Sequence, residues 1–216
     1  MDHISPLSAA QARQLRWQGY TLCGTVQDRL LNEVALVTAR LFGASVALVS
    51  LADASQVWFR GQWGWAGPAR VPRDRCLCAA ALLREQCLVF EDLQRDPCTL
   101  GSAAAAAASG LRFYAAHALG ALSIMAAEPR PFDAASRDAL AQLAHLTSAV
   151  LALRGAAAEA HALPTLLPVL EQAALRPLTQ LLVVANRWRH PASVSDAPAK
   201  WAAVAQAVRQ GLAALS

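Results

Sequence analysis

The chain has 216 residues, 56% of them hydrophobic and 16% charged, and its formal net charge at pH 7 is +4. This composition excludes global disorder, and the length favours one domain, or one domain with an appendage. No stretch reaches the ~18–20 uninterrupted apolar residues of a membrane span, and the N-terminus lacks the regions of a signal peptide. The arginines are dispersed and build no basic patch for nucleic acid. We therefore expect a soluble, cytoplasmic protein without a nucleic-acid or membrane partner.

The cysteines are odd in number in a chain without an export signal, which argues against a disulfide framework. They are Cys23, Cys76, Cys78, Cys87 and Cys98. A Cys-x-Cys pair followed by two single cysteines is not a usual spacing for zinc ligands, and no histidine lies among them. We predict no metal site, and we expect most of these cysteines to be small buried residues.

The N-terminal region predicts two helices. A short helical pattern covers residues 8–18, and a second helix, capped by Thr25 or a neighbour, continues to about Phe42 and ends at Gly43. Its apolar positions are Leu30, Leu31, Val34, Val37 and Leu41. Their spacing is typical of a helix that buries one face.

Short apolar segments separated by turn residues follow, and they predict strands. These strands cover residues 45–51, 56–63, 87–90, 111–116 and 118–126. A short helix is predicted at about 78–85, between the second strand and the third. Residues 93–110 include a run of six alanines and form an irregular stretch, since an isolated helix needs ~12–15 residues. A long helix is predicted from Asp133 to about Arg154.

Two more helical patterns complete the chain. The first, at about 165–187, contains Pro168 and Pro177, which predict that it is kinked or split. The second covers about 197–215 and is amphipathic. Its apolar face consists of Trp201, Val204, Val208 and Leu212.

The order of these elements defines the fold class. Consecutive short strands between helices indicate an α+β fold with an antiparallel sheet. We predict this domain over residues 1–155, and an all-helical extension over residues 156–216.

Several strings resemble, in the right order, the bacterial GAF-domain family of small-molecule sensor modules. They are RLFGASVALVSLAD, QVWFRGQWG, PRDRCLCAAAL, CLVFEDLQRDP, LRFYA and HALGALSI. The resemblance covers roughly residues 8–155. It implies a central antiparallel sheet with the flanking helices on one face. On the other face it implies a ligand pocket, covered by residues 72–93 and 96–110. It also implies a homodimer through the flanking helices and a signalling partner that reads the state of the domain.

Two departures from the family pattern bear on the pocket. Cys76-Leu77-Cys78-Ala79-Ala80 stands where relatives usually have Ser-Phe-Cys-Ala-His, so a titratable imidazole is missing at Ala80. About eight residues are also missing after Ala116. From Leu111 to Met125 there is room for a stunted hairpin or for one continuous strand. Either would reshape the floor of the pocket.

The candidate pocket residues are aromatic, polar or nucleophilic side chains of the matched segments. They are Trp58, Phe59, Cys78, Phe90, Asp92, Arg112 and Tyr114. Alternation along a strand sends Trp58 and Phe59 to opposite faces and Arg112 and Tyr114 to the same face. The alternative for the aromatic residues is a role in the core, and for Arg112 it is a surface salt bridge.

Cys78 is also a candidate redox thiol. The start of the helix and the nearby Arg73 and Arg75 would lower its pKa. Cys76 could resolve a sulfenic acid at Cys78, although a disulfide between these neighbours would be strained. The alternative is a buried structural cysteine.

We expect a divergent, stand-alone, non-enzymatic sensory module that acts by binding a small molecule, by helix-mediated association, or by both. One alternative is a cysteine-dependent redox sensor, or a reductase that resembles the free methionine sulfoxide reductases. Another is a scaffold for protein interaction whose pocket has decayed. The sequence indicates no particular cofactor or ligand.

Overall fold

The computed structural model describes residues 28–52, 55–82, 86–95, 110–117, 122–159, 163–188 and 197–215. Several sequence-based predictions lie outside these residues. They are the helix at 8–18, the Thr25 position, Cys23, Cys98, the alanine run and nearly all of the 96–110 segment. The Ala80 side chain is likewise outside what is described.

A six-stranded antiparallel sheet forms the centre of the molecule, in the order β3-β2-β1-β6-β5-β4. The strands are β1 Val46–Ala52, β2 Gln56–Trp63, β3 Arg70–Pro72, β4 Leu88–Phe90, β5 Phe113–His117 and β6 Leu122–Ala126. The predicted α+β class with an antiparallel sheet is confirmed. The edge strand β3 was not predicted, because three residues are too few to show an alternating pattern.

The shortened segment after Ala116 is a hairpin. Strands β5 and β6 pair from Phe113 opposite Ala126 to His117 opposite Leu122, and residues 118–121 connect them. Of the two possibilities that the sequence leaves open, the stunted hairpin is therefore correct, and the continuous strand is not.

The helices are α1 Arg29–Phe42, α2 Leu77–Leu82, α3 Ala134–Glu159, α4 Leu163–Arg187 and α5 Ala197–Leu215. The cap of α1 is Asp28 rather than Thr25: its carboxylate accepts the N–H of Leu30 at 2.9 Å and that of Leu31 at 3.4 Å. Asp and Thr are both good caps, so composition alone does not locate this start. Gly43, at φ 58°, ends α1 as predicted.

Helix α4 continues without a break through both prolines, so it is not split. Buried Pro177 packs closely against Gly211 of α5, where a Cβ atom would come within 2.6 Å of the proline Cβ. Tertiary packing therefore overrides the low helix propensity of proline here. Helix α3 extends beyond the predicted Arg154, and the predicted domain boundary at 155/156 lies inside it.

The sheet separates two apolar clusters. On one face, α1, α3, α4 and α5 pack together over the strands and form the larger core, which we call the helix face. Alternation along β1 directs Ala47, Val49 and Leu51 to this face and Val46 and Leu48 to the other. The second cluster lies on that opposite face, under α2. None of the helices in the described ranges has the length and apolar character to cross a membrane.

Candidate functional site

A group of polar side chains lies buried on the α2 face of the sheet. It consists of Ser50, Cys76, Cys78, Tyr114 and Ser123, which we call the thiol–hydroxyl cluster. Ser50 is on β1, Tyr114 on β5 and Ser123 on β6, and all three side chains point away from the helix face. Cys78 is the second residue of α2 and is 4% exposed. The sheet and α2 therefore enclose a small polar centre within an apolar surround.

Cys78 is a strongly perturbed titratable group of this cluster. Its Sγ lies 3.6 Å from the Ser123 Oγ. Hydrogen bonding to Cys76 lowers the pKa of Cys78 from 9.0 to about 6, against the opposing effect of burial. Ser50, Ser123 and Tyr114 favour the thiolate further. The start of the helix, Arg73 and Arg75 were expected to lower this pKa, but none of them contributes to the shift, and Arg75 is exposed and Arg73 half-buried. Neighbouring hydrogen-bond donors explain the shift instead.

Two hydroxyl groups of the cluster make no hydrogen bond of normal geometry, although both lie close enough to Cys78 to lower its pKa. The Ser50 Oγ and the Tyr114 Oη are buried, and neither makes a hydrogen bond of normal geometry with any described residue. An unsatisfied buried polar group costs about 1–3 kcal/mol, and such groups are few in native proteins. Burial and the nearby thiols raise the pKa of Tyr114 well above its usual value, so its O–H remains a donor. These two groups are poised to bind a polar partner.

The Asp92 and Arg112 side chains form an ion pair with each other. The Arg112 Nη2 lies 2.5 Å from the Asp92 Oδ2, and the Arg112 Nε donates to the Asp92 Oδ1 at 3.1 Å. This arrangement is bidentate and geometrically specific. The hydrogen bonding of Arg112 holds the pKa of Asp92 below its usual value. The Leu93 N–H also donates to the Arg112 carbonyl at 2.6 Å, so these contacts join the chain before and after residues 96–109.

The other predicted pocket residues divide between the two faces. Phe59 is buried on the α2 face and packs edge-on to Trp65, with ring centroids 5.4 Å apart. Half-buried Phe90 lies 6.3 Å from the Tyr114 ring. Trp58 stands directly opposite Leu51 and therefore points to the helix face, where the Arg70 guanidinium lies 5.0 Å from its ring. The structure brings Phe59, Phe90, Cys78 and Tyr114 to one face, and does not bring Trp58 there.

Sequence reasoning missed Ser50 and Ser123. Each is a hydroxyl residue in the middle of a short, fully buried apolar strand, VALVSLA and LSIMA. A polar residue at such a position is itself the signal, since serine is mostly exposed in folded proteins. What the sequence does not show is that the pairing of β1 with β6 places both serines on one face.

Within the described ranges, no group of three or more His, Cys, Asp or Glu side chains could hold a metal ion. Cys76, Cys78 and Cys87 are thiols that form no disulfide within these ranges. The chemistry available in the cluster is therefore that of thiols and hydroxyls.

An antiparallel sheet with helices on one face and a buried polar centre on the other defines an α+β domain. A family model for the GAF domain matches residues 27–151, which is more than half of the chain. The protein belongs to the GAF-domain family, whose members are sensory modules that bind small molecules or act in signalling. The resemblance deduced from the sequence is confirmed. A comparison with curated proteins gave no match.

Proposed function

We propose that this protein is a non-enzymatic sensory module that binds a small polar molecule at the thiol–hydroxyl cluster and signals through its helix face. The observation that carries this proposal is the pair of buried hydroxyls, Ser50 and Tyr114, which have the Cys78 thiol as a neighbour but make no hydrogen bond of normal geometry with a described residue. A ligand with one acceptor and one further polar group would satisfy both. The shortened hairpin and the enclosing α2 suit a small ligand rather than an extended one.

The strand β1 gives a physical route from the cluster to the helices. Ser50 belongs to the cluster, while its neighbours Val49 and Leu51 are fully buried in the core of the helix face. A ligand that shifts Ser50 must therefore also shift side chains under α1. Because close-packed interiors transmit strain, the packing of the helices would respond.

The extension is joined to the same helix layer by polar contacts. Buried Arg154 of α3 forms an ion pair with Asp28, the cap of α1, and lies 3.8 Å from the Glu171 carboxylate of α4. Lys200 of α5 donates to the Leu41 carbonyl near the end of α1. The extension thus covers α1 and α3. We propose that the protein associates through the outer face of α4, either as a homodimer or with a signalling partner. This face exposes Val169 and Val183.

Native mass spectrometry of the purified full chain tests the ligand proposal and reports the oligomeric state in the same experiment. We expect a retained small molecule on the wild type, and its loss in Tyr114→Phe and Ser50→Ala. Ser148→Ala on α3 is the matched control and should retain it. The protein is then incubated with a metabolite extract. The proposal would be contradicted if the purified wild type carries no small molecule and if the wild type and both variants take up the same molecules from the extract equally well.

A second candidate is a thiol redox sensor, and the lowered pKa of Cys78 favours it. The Cys78 thiolate would attack one oxygen of a peroxide, whose O–O bond breaks. The sulfur becomes a sulfenic acid, and the leaving oxygen takes up a proton and departs as water or an alcohol. Trapping of sulfenic acid after mild peroxide, mapped by mass spectrometry, should select Cys78 over Cys87, because burial raises the pKa of Cys87 to about 11. Equal modification of both would contradict this candidate.

We place the protein in a reducing compartment such as the cytoplasm. Cys76, Cys78 and Cys87 are thiols that form no disulfide among the described residues, which suits such a compartment. The reductase and decayed-scaffold alternatives stay predictions, as does a bacterial origin. Partners other than a small molecule and a protein, such as nucleic acid or membrane, form no part of the proposal.

A further inference from the structure

A cleft lies on the helix face, on the opposite side of the sheet from the thiol–hydroxyl cluster. It has a volume of about 230 Å³ and lies where the end of α1, the end of β2 and the last turns of α4 meet. Its polar and aromatic lining consists of Arg40, Trp63 and Asn186, and small side chains such as Ala44 and Ala185 contribute apolar surface. We call it the Trp63 cleft. It lies between the GAF domain and the helical extension.

The three larger side chains of this cleft have no partner within the described part of the chain. The Trp63 indole is 42% exposed and makes no ring contact there, unlike Trp58 and Trp65. The exposed Arg40 guanidinium makes no ion pair or side-chain hydrogen bond there, and neither does the Asn186 amide. Arg40 is the one charged residue among those that line the cleft. The electrostatic potential in the cleft is therefore positive.

We propose that the Trp63 cleft binds a small aromatic carboxylate, one that carries a single ring. A guanidinium recognises a carboxylate through two parallel hydrogen bonds, and an exposed indole offers a face for stacking a planar ring. The Asn186 amide can donate a further hydrogen bond. Sites for drug-sized ligands have volumes of roughly 300–1,000 Å³, so a cleft of about 230 Å³ admits one ring and its carboxylate.

Such a ligand would bridge the two parts of the chain. Arg40 belongs to α1 of the GAF domain, and Asn186 lies near the C-terminal end of α4 in the extension. A ligand that contacts both would hold α4 against α1. This second site is distinct from the thiol–hydroxyl cluster, because the two lie on opposite faces of the sheet, and its affinity is compared in protein freed of any ligand of the cluster.

Titration of the full chain with benzoate, followed by saturation-transfer NMR and calorimetry, tests the inference. We expect Arg40→Gln to weaken benzoate binding by at least about tenfold, because the variant loses both the charge and the two parallel hydrogen bonds to the carboxylate. Trp63→Leu should weaken it, and Asn186→Asp should do so by placing a like charge in the cleft. Arg176→Gln, an exposed arginine earlier on α4, is the matched control and should bind benzoate as the wild type does.

Three results would overturn the inference: no binding of benzoate by the wild type, unchanged affinity in Arg40→Gln, or equally tight binding of the neutral analogue benzamide. Tyr114→Phe separates the two sites. It should leave benzoate affinity unchanged even though it removes a group of the thiol–hydroxyl cluster. A loss of benzoate binding in Tyr114→Phe but not in Arg40→Gln would place the ligand in the cluster instead and contradict the cleft.

Discussion

The two faces of the sheet bury their polar groups in different ways. On the helix face, the hydroxyls of Thr38 and Thr147 donate to carbonyls one turn earlier, at 2.7 and 2.8 Å. On the α2 face, the hydroxyls of Ser50 and Tyr114 have no partner of normal geometry among the described residues. The helix face satisfies these hydroxyls from its own chain, although the buried Nε and Nη2 of Arg130 lack a hydrogen-bond partner there among the described residues, whereas the α2 face retains hydroxyls that a second molecule can satisfy. In the proposed function, the α2 face recognises a ligand and the helix face stabilises the fold.

The largest expected effect is a loss of packing on the helix face. Leu140 of α3 is fully buried there, and Leu140→Ala should lower the free energy of unfolding by about 2–5 kcal/mol because it leaves a cavity. Chemical denaturation measures this change. Leu166→Ala on α4 is the control: its side chain is 42% exposed, so a change within about 0.5 kcal/mol is expected. Similar losses in both variants would mean that the helix face is not the main core.

The next effect concerns the ion pair that links α3 with α1. Arg154→Met should destabilise the protein by about 2 kcal/mol. This is less than the roughly 3–5 kcal/mol typical of a broken buried pair, because Asp28 still accepts backbone N–H groups. A double-mutant cycle with Asp28→Asn isolates the coupling energy. A coupling energy near zero would contradict a structural role for the pair.

A pH dependence should arise from Cys78 on the other face. Its pKa is lowered to about 6 in the folded protein, so its contribution to stability is fully present only above the unfolded pKa of about 8.5. It is lost as the pH falls through about 6. Between these values the free energy of unfolding should rise with pH by at most about 1.4 kcal/mol per unit.

Cys78→Ala should flatten this dependence. Cys87→Ser is the control and should leave the slope between pH 6 and 8.5 intact, since the raised pKa of Cys87, about 11, places its effect at higher pH. A slope that survives in Cys78→Ala would assign the pH dependence to another group.

The smallest expected loss of stability is that of Tyr114→Phe in the ligand-free protein. Because its hydroxyl makes no hydrogen bond of normal geometry with a described residue, its removal should leave the free energy of unfolding unchanged or raise it by up to about 1–3 kcal/mol. Asp133→Ala should cost about 1 kcal/mol, since its carboxylate accepts the Ser136 N–H at 2.8 Å at the start of α3. A loss above about 1 kcal/mol in Tyr114→Phe would reveal a partner for the hydroxyl within the chain.

Much of the fold was predictable because each element carries its own local signal. The periodic apolar residues of α1 and α5 predicted their buried faces, and alternation predicted that Trp58 and Phe59 point in opposite directions. The continuity of α4 was not predictable from the sequence. Pro177 predicts a break locally, and only its packing against Gly211, a residue distant in sequence, shows how the helix accommodates it.

The site was predictable only in part, because its members meet through long-range strand pairing. Cys78 and Tyr114 were candidates because of their side-chain chemistry. That Ser50 and Ser123 share their face of the sheet is evident only from the pairing of β1 with β6. Asp92 and Arg112 were expected to face the pocket, or in the case of Arg112 to form a surface salt bridge. Their mutual bidentate contact is a three-dimensional fact that neither position shows by itself.

The most direct test of the account is hydrogen exchange of the full chain with its retained small molecule, compared with the Tyr114→Phe variant without it. Occupancy of the thiol–hydroxyl cluster should slow exchange in the strands and also in α1 and α4, although neither helix belongs to the cluster. Protection confined to the strands and α2, with unchanged exchange in α1 and α4, would contradict the claim that one face recognises and the other responds.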